Sequence, residues 1–118
     1  MLTIRKKQME ALGRMMLDQF ADEMVGHLRK FFPAACDSLG ETGVNETIQY
    51  GISKAGKYGI EIHRDICRFI DLMFVFGRDF DTNPEVPWAS RILNDPAITD
   101  ADTRIDRLLE EARRVQQG

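Results

Sequence analysis

The sequence predicts an all-α fold: a single-domain helical bundle of about four to five helices over residues 1–118, with a long N-terminal helix and a central, apolar third helix. Three observations carry that prediction. Apolar residues recur at the i, i+3/i+4, i+7 spacing that lines one side of a helix, in several separate segments. No segment sustains the period-two alternation of a half-buried strand. Pro33, Gly59, Gly77 and Pro87 stand at the ends of the periodic segments, where such residues stop or start helices.

The first helix is predicted over residues 3–32. Met9, Leu12, Met16, Phe20, Met24, Leu28 and Phe31 fall on one face, with Arg14, Asp18, Asp22 and Arg29 opposite. Pro33 biases Phe32 away from helical geometry and ends the run. Residues 33–43 read as a turn with one short helical piece near 34–39. A second helix follows over residues 44–58, with Val44, Ile48, Ile52, Ala55 and Tyr58 on its apolar side. Gly51 shares that side, and a mid-helix glycine costs up to ~1 kcal/mol against alanine, so close helix approach is its expected purpose.

The third helix is predicted over residues 62–76. Ile62, Ile66, Phe69, Ile70, Met73, Phe74 and Phe76 cover about half its circumference, as in the centre of a bundle. Its other side is a charged stripe of Arg64, Arg68 and Asp71 at i, i+4, i+7, with Leu72 and Val75 beside it. Residues 78–86 carry loop formers, and Asp79, Asp81 and Asn83 are expected to cap the turn through side-chain to backbone hydrogen bonds. A short helix over 87–93 has Pro87 in its first turn and Trp88 and Ile92 on one side. Thr99 and Asp102 resemble a capping box opening a last helix to residue 115, with a narrow stripe of Ile105, Leu108, Leu109, Ala112 and Val115.

Composition excludes several functional classes. With 43% hydrophobic and 30% charged residues the chain is unlike a disordered one. A net charge of −3 opposes a nucleic-acid protein working by bulk attraction to phosphate. The longest apolar run is Leu72-Met73-Phe74-Val75-Phe76, against the ~20 residues of a membrane span. Arg5-Lys6-Lys7 is followed by no apolar stretch, so no secretory leader and a cytoplasmic location are expected. Cys36 and Cys67 lack C-x-x-C spacing and read as reduced, largely buried thiols. Charge is uneven: residues 79–111 hold nine acids and three arginines, whereas residues 1–30 hold six bases and four acids.

No catalytic or metal signature is assigned. Asp79-x-Asp81-x-Asn83 opens like a calcium loop, but Pro84 and Ser90 occupy the positions that need glycine and a bidentate acid. His27 with Glu23, and His63 with Cys67, are i,i+4 pairs of the kind zinc accepts. Such pairs arise easily by chance, and structural histidines are the commoner outcome, so no metal is assigned. A small metal-dependent or acid–base enzyme using His27 and His63 is the alternative from a different class. No Gly-x-Ser-x-Gly elbow and no phosphate-binding glycine loop is present, and no cofactor is expected. The leading reading is a protein-binding, non-enzymatic role, since arginine and aromatic residues are enriched at interface hot spots. The expected contact set is Arg64, Arg68, Asp71, Asp79, Asp81 and Trp88. The competing readings are an intrahelical Arg68–Asp71 pair and a Trp88 lid over the third helix.

Motifs spread along nearly the whole chain carry a resemblance. They include Met1-Leu2-Thr3-Ile4-Arg5, His27-Leu28-Arg29, Phe32-Pro33, Tyr58-Gly59-Ile60, Arg64-Asp65-Ile66-Cys67-Arg68, Phe76-Gly77-x-Asp79-Phe80-Asp81 and Pro87-Trp88-Ala89. The chain resembles a family of small all-helical bacterial proteins found near type VI secretion effectors and spike proteins. Ile62 departs from the helix-capping serine or threonine expected there. The resemblance implies a cytoplasmic accessory protein that engages an effector or spike component as chaperone, adaptor or neutralising immunity protein. It implies no catalytic residues, and no nucleic-acid or membrane partner is expected. Homo-oligomers remain compatible with it.

Overall fold

A computed structural model describes residues 18–117, and among these the chain is all-helical, with no strand. The helices are α1 (residues 18–31), α2 (Pro33–Lys57), α3 (His63–Phe76), α4 (Pro87–Leu93) and α5 (Ala101–Gln117). The part of the predicted first helix before residue 18, including Met9, Leu12 and Met16, lies outside the described residues. Two compact units divide between Asn45 and Glu46.

In the first unit, α1 buries Phe20, Met24 and Leu28, the i, i+4, i+8 row of its predicted apolar face. Phe31, assigned to the same face, is instead 58% exposed, with its ring 4.8 Å from the His27 ring and under the Lys30 ammonium. The expected turn over 33–43 shrinks to one residue. Helix continues on both sides of Gly40, which takes φ 73° and ψ 171°. A residue without Cβ enters that region at no steric cost, so the direction changes without a loop.

In the second unit, α3 is the most buried helix: Ile66, Phe69, Ile70, Leu72 and Met73 are all in the core. Gly51 of α2 faces it closely. A Cβ at Gly51 would sit 2.6 Å from Ile70 Cγ1 and 3.0 Å from Met73 Sδ, which accounts for the glycine. Gly51→Ala is therefore expected to lower stability by about 1–2 kcal/mol, because overpacking exceeds the ~1 kcal/mol gain in helix propensity. Urea unfolding checks this, and an unchanged or higher midpoint would refute the close approach.

Phe69 lies at the middle of an aromatic cluster, its ring centroid 5.1 Å from Phe80 and 6.3 Å from Tyr58. Phe80 comes from the loop after α3 and is fully buried, so this loop contributes to the core. α5 packs on both α3 and α4.

Two predicted helix starts shift. α3 begins at His63, with Ile62 extended before it (φ −81°, ψ 131°), making no side-chain cap and 52% exposed rather than part of the apolar face. At α5 the cap is Asp100, not Thr99. Its Oδ1 accepts the backbone N–H of Asp102 (2.8 Å) and of Thr103 (3.3 Å), and its Oδ2 accepts the Thr103 hydroxyl. Val115, placed in the apolar stripe of α5, is 42% exposed, as befits the open end of an edge helix.

Candidate functional site

Two polar clusters organise the second unit. The first lies where α3 meets α5. Asp65, Phe69 and Leu72 share one side of α3 at i, i+4, i+7, so the aspartate is carried into the interior with its apolar neighbours and is 0% exposed. Arg64 Nε stands 3.5 Å and Arg68 Nη1 3.8 Å from Asp65 Oδ1. Each arginine is shared with an acid of α5: Arg64 Nη2 lies 3.8 Å from Asp102 Oδ1, and Arg68 Nη1 donates to Asp106 Oδ1 at 3.2 Å. Burial, and then the neighbouring Asp102 carboxylate, push the Asp65 carboxyl above the usual range, and Arg64 works against them.

Beside this seam runs an open depression of about 420 Å³. Its walls include Arg68 from α3 and Thr103, Asp106, Arg107, Glu110 and Arg113 from successive turns of α5. Arg68 stands at its edge with 35% of its side chain exposed, and Arg64 is 63% exposed.

The second cluster ties the loop after α3 to α2. Tyr50, Lys54 and Tyr58 form a column at i, i+4, i+8. Lys54 Nζ lies 2.6 Å from both Asp79 Oδ1 and Asp81 Oδ1. The Tyr50 hydroxyl donates to Asp79, and the Tyr58 hydroxyl donates to Asp81 Oδ2 at 2.8 Å. The Arg78 guanidinium stacks 4.1 Å from the centre of the Tyr50 ring. Burial acts to lower the Lys54 pKa, but hydrogen bonds to Asp79, Asp81 and Tyr50 outweigh it and raise the ammonium above its ordinary value. The Tyr58 hydroxyl is pushed up to about 12 by burial and by its bond to Asp81. The bonds from Lys54 and Tyr50 hold the Asp79 carboxyl below the usual range.

These contacts reorder the predicted set. Arg64 and Arg68 come together at the seam, and Asp79 and Asp81 come together around Lys54. Asp79 and Asp81 do not cap the turn with their side chains as expected. That work falls to Asn83, whose Oδ1 accepts the Glu85 N–H at 2.9 Å, and to the Asp79 backbone carbonyl. Asp81 is 1% exposed, and its bonds to Lys54 and Tyr58 secure the loop. Trp88 is half-buried, edge-on to Phe76 with centroids 5.2 Å apart, which matches a lid over α3. Asp71 is half-buried one turn after Cys67. Arg68 takes Asp65 and Asp106 as partners.

Tyr50, Lys54 and Asp106 stand in no sequence motif, Tyr58 and Asp65 fall inside resemblance motifs that assign them no role, and Asp102 reads only as a helix cap. A weaker signal exists for two groups: Asp65 shares the Phe69/Leu72 side of α3, and Tyr50, Lys54 and Tyr58 repeat every four residues. Of the four weighed metal ligands, Glu23 and His27 belong to the first unit, and His63 and Cys67 to the second. Both cysteines are free thiols. Burial raises the Cys67 thiol to about 11, and burial likewise raises Cys36, which lines a depression of about 310 Å³ with Arg29 and Asp37 in the first unit. No described helix is long and apolar enough to cross a membrane. No protein family, curated protein or solved structure matches the chain.

Proposed function

We propose that this protein is a non-enzymatic accessory protein that binds another protein through the α3–α5 face around Arg64 and Arg68. One observation carries the reading: Arg68 is held by Asp106 at 3.2 Å at the edge of an open groove while a third of its side chain stays exposed. A guanidinium already fixed by an acid loses little freedom on binding, and its remaining N–H groups are free to meet a partner's carboxylates or carbonyls. The resemblance to proteins found near type VI secretion effectors supports an effector or spike component as the partner, with chaperone or adaptor as the role.

The test is co-expression of the tagged full chain with the effector and spike proteins encoded beside it, followed by co-purification. The double variant Arg64→Ala/Arg68→Gln is expected to weaken a captured partner by about 30-fold, the equivalent of ~2 kcal/mol for a hot-spot arginine. The circular dichroism spectrum should stay unchanged. Undiminished binding by the folded variant removes this face from the interface, and capture of none of these neighbours removes the partner class. An immunity protein would rescue cells from the neighbouring toxin and inhibit it in vitro. An adaptor would raise effector level or secretion without protecting.

A further inference from the structure

We propose that Asp65 of α3 and Asp102 of α5 hold one proton between them, so that the α3–α5 seam acts as a pH-sensitive latch. Asp65 is wholly buried, and neither of its oxygens receives a hydrogen bond from any described residue. Asp102 Oδ1 is likewise buried and without a hydrogen bond. Buried acceptors left in that state are costly, and a proton placed on one carboxyl turns it into a donor to the other.

The charges facing Asp65 from α3 and α5 lead to the same place. Arg64 and Arg68 on α3 stand against Asp65 itself and against Asp102 and Asp106 on α5. Three carboxylates thus share two guanidinium groups, and one negative charge is left over. The arginines stand at 3.5 and 3.8 Å from Asp65, too far for good hydrogen bonds. Each is also drawn outward by an α5 acid. A metal cation in the same place would face both guanidinium groups, so the proton is the favoured counter-charge.

The direction of the response follows from linkage. The folded pair retains a proton at pH values where an unfolded aspartate has lost it. Folding stability therefore falls as pH rises from the ordinary carboxyl range to the raised value of the pair, and is level above it. A full proton's difference changes the folding equilibrium constant by about tenfold per pH unit within that window. The lowered carboxyls, Asp79, Asp100 and Glu111, act the other way and lose their contribution as pH drops below the ordinary range.

Urea unfolding of the full chain between pH 4 and 8 tests the latch. Wild type should lose stability toward neutral pH, Asp65→Asn should abolish that loss, and Asp102→Asn should shrink it. An Asp65→Asn variant with the wild-type slope overturns the proposal. Carboxyl carbon-13 titration of the wild-type protein gives a readout that does not depend on a variant folding. One aspartate titrating clearly above the ordinary range is expected. All aspartates titrating at or below that range would also overturn it.

Discussion

Lys54→Met is expected to destabilise the protein by about 3–5 kcal/mol, the cost of leaving a buried charge without its partner. Lys54 is 11% and Asp81 1% exposed, so the pair has little access to water. With the ammonium gone, Asp81 keeps only the Tyr58 hydroxyl at 2.8 Å. Asp79, 59% exposed, can be solvated and contributes little to the loss. Adding Asp81→Asn to Lys54→Met should recover most of the stability, because the amide oxygen still accepts from Tyr58 and no charge remains buried. Chemical unfolding at neutral pH measures both variants. A single-variant loss below about 1 kcal/mol would mean that the loop does not depend on this pair.

Phe69→Ala is expected to cost about 3–5 kcal/mol, as for other fully buried aromatic residues cut back to alanine. The ring is 0% exposed and touches Phe80 and Tyr58, so its loss removes transferred apolar area and two aromatic contacts at once. The cavity would undercut Phe80, and through it the loop that carries Asp79 and Asp81. Phe31→Ala serves as the control: that ring is 58% exposed, and a change within about 0.5 kcal/mol is expected. Similar losses for the two variants would contradict the placement of Phe69 at the centre of the second unit's core.

The binding reading and the proton latch act on overlapping residues, yet their tests separate. Arg64 and Arg68 are read by capture of a partner, and Asp65 by the pH dependence of folding in the protein alone. A partner lost from Arg64→Ala/Arg68→Gln with the pH slope intact supports the interface only. A flattened slope in Asp65→Asn with binding intact supports the latch only.

Helix positions were legible from local pattern because the 3.6-residue period, the prolines and the glycines act within a few residues of chain. α4 spans the predicted 87–93, and α3 ends at the predicted Phe76. The Gly51 contact was legible too, since a glycine on the apolar side of a helix marks where a neighbour comes too close for a Cβ. Exposure at helix ends was not: Phe31, Ile62 and Val115 have the right spacing but stay exposed. The site was read only in part. Arg64 and Arg68 were found as a stripe, but their acids sit 38 residues further along, in α5.

Taken alone, the sequence determined the all-helical class, most helix bounds and most of the inward faces of α2, α3 and α5, because propensity and periodicity are local; α4 instead buries Ala89 and Leu93, beside the predicted Trp88 and Ile92. Which charges meet was settled by tertiary packing. Lys54 finds Asp79 and Asp81 across 25 and 27 residues, and Asp65 is buried against Asp102 across 37. Electrostatic pairing depends on distance and dielectric in space, and those exist only once α2, α3 and α5 have packed.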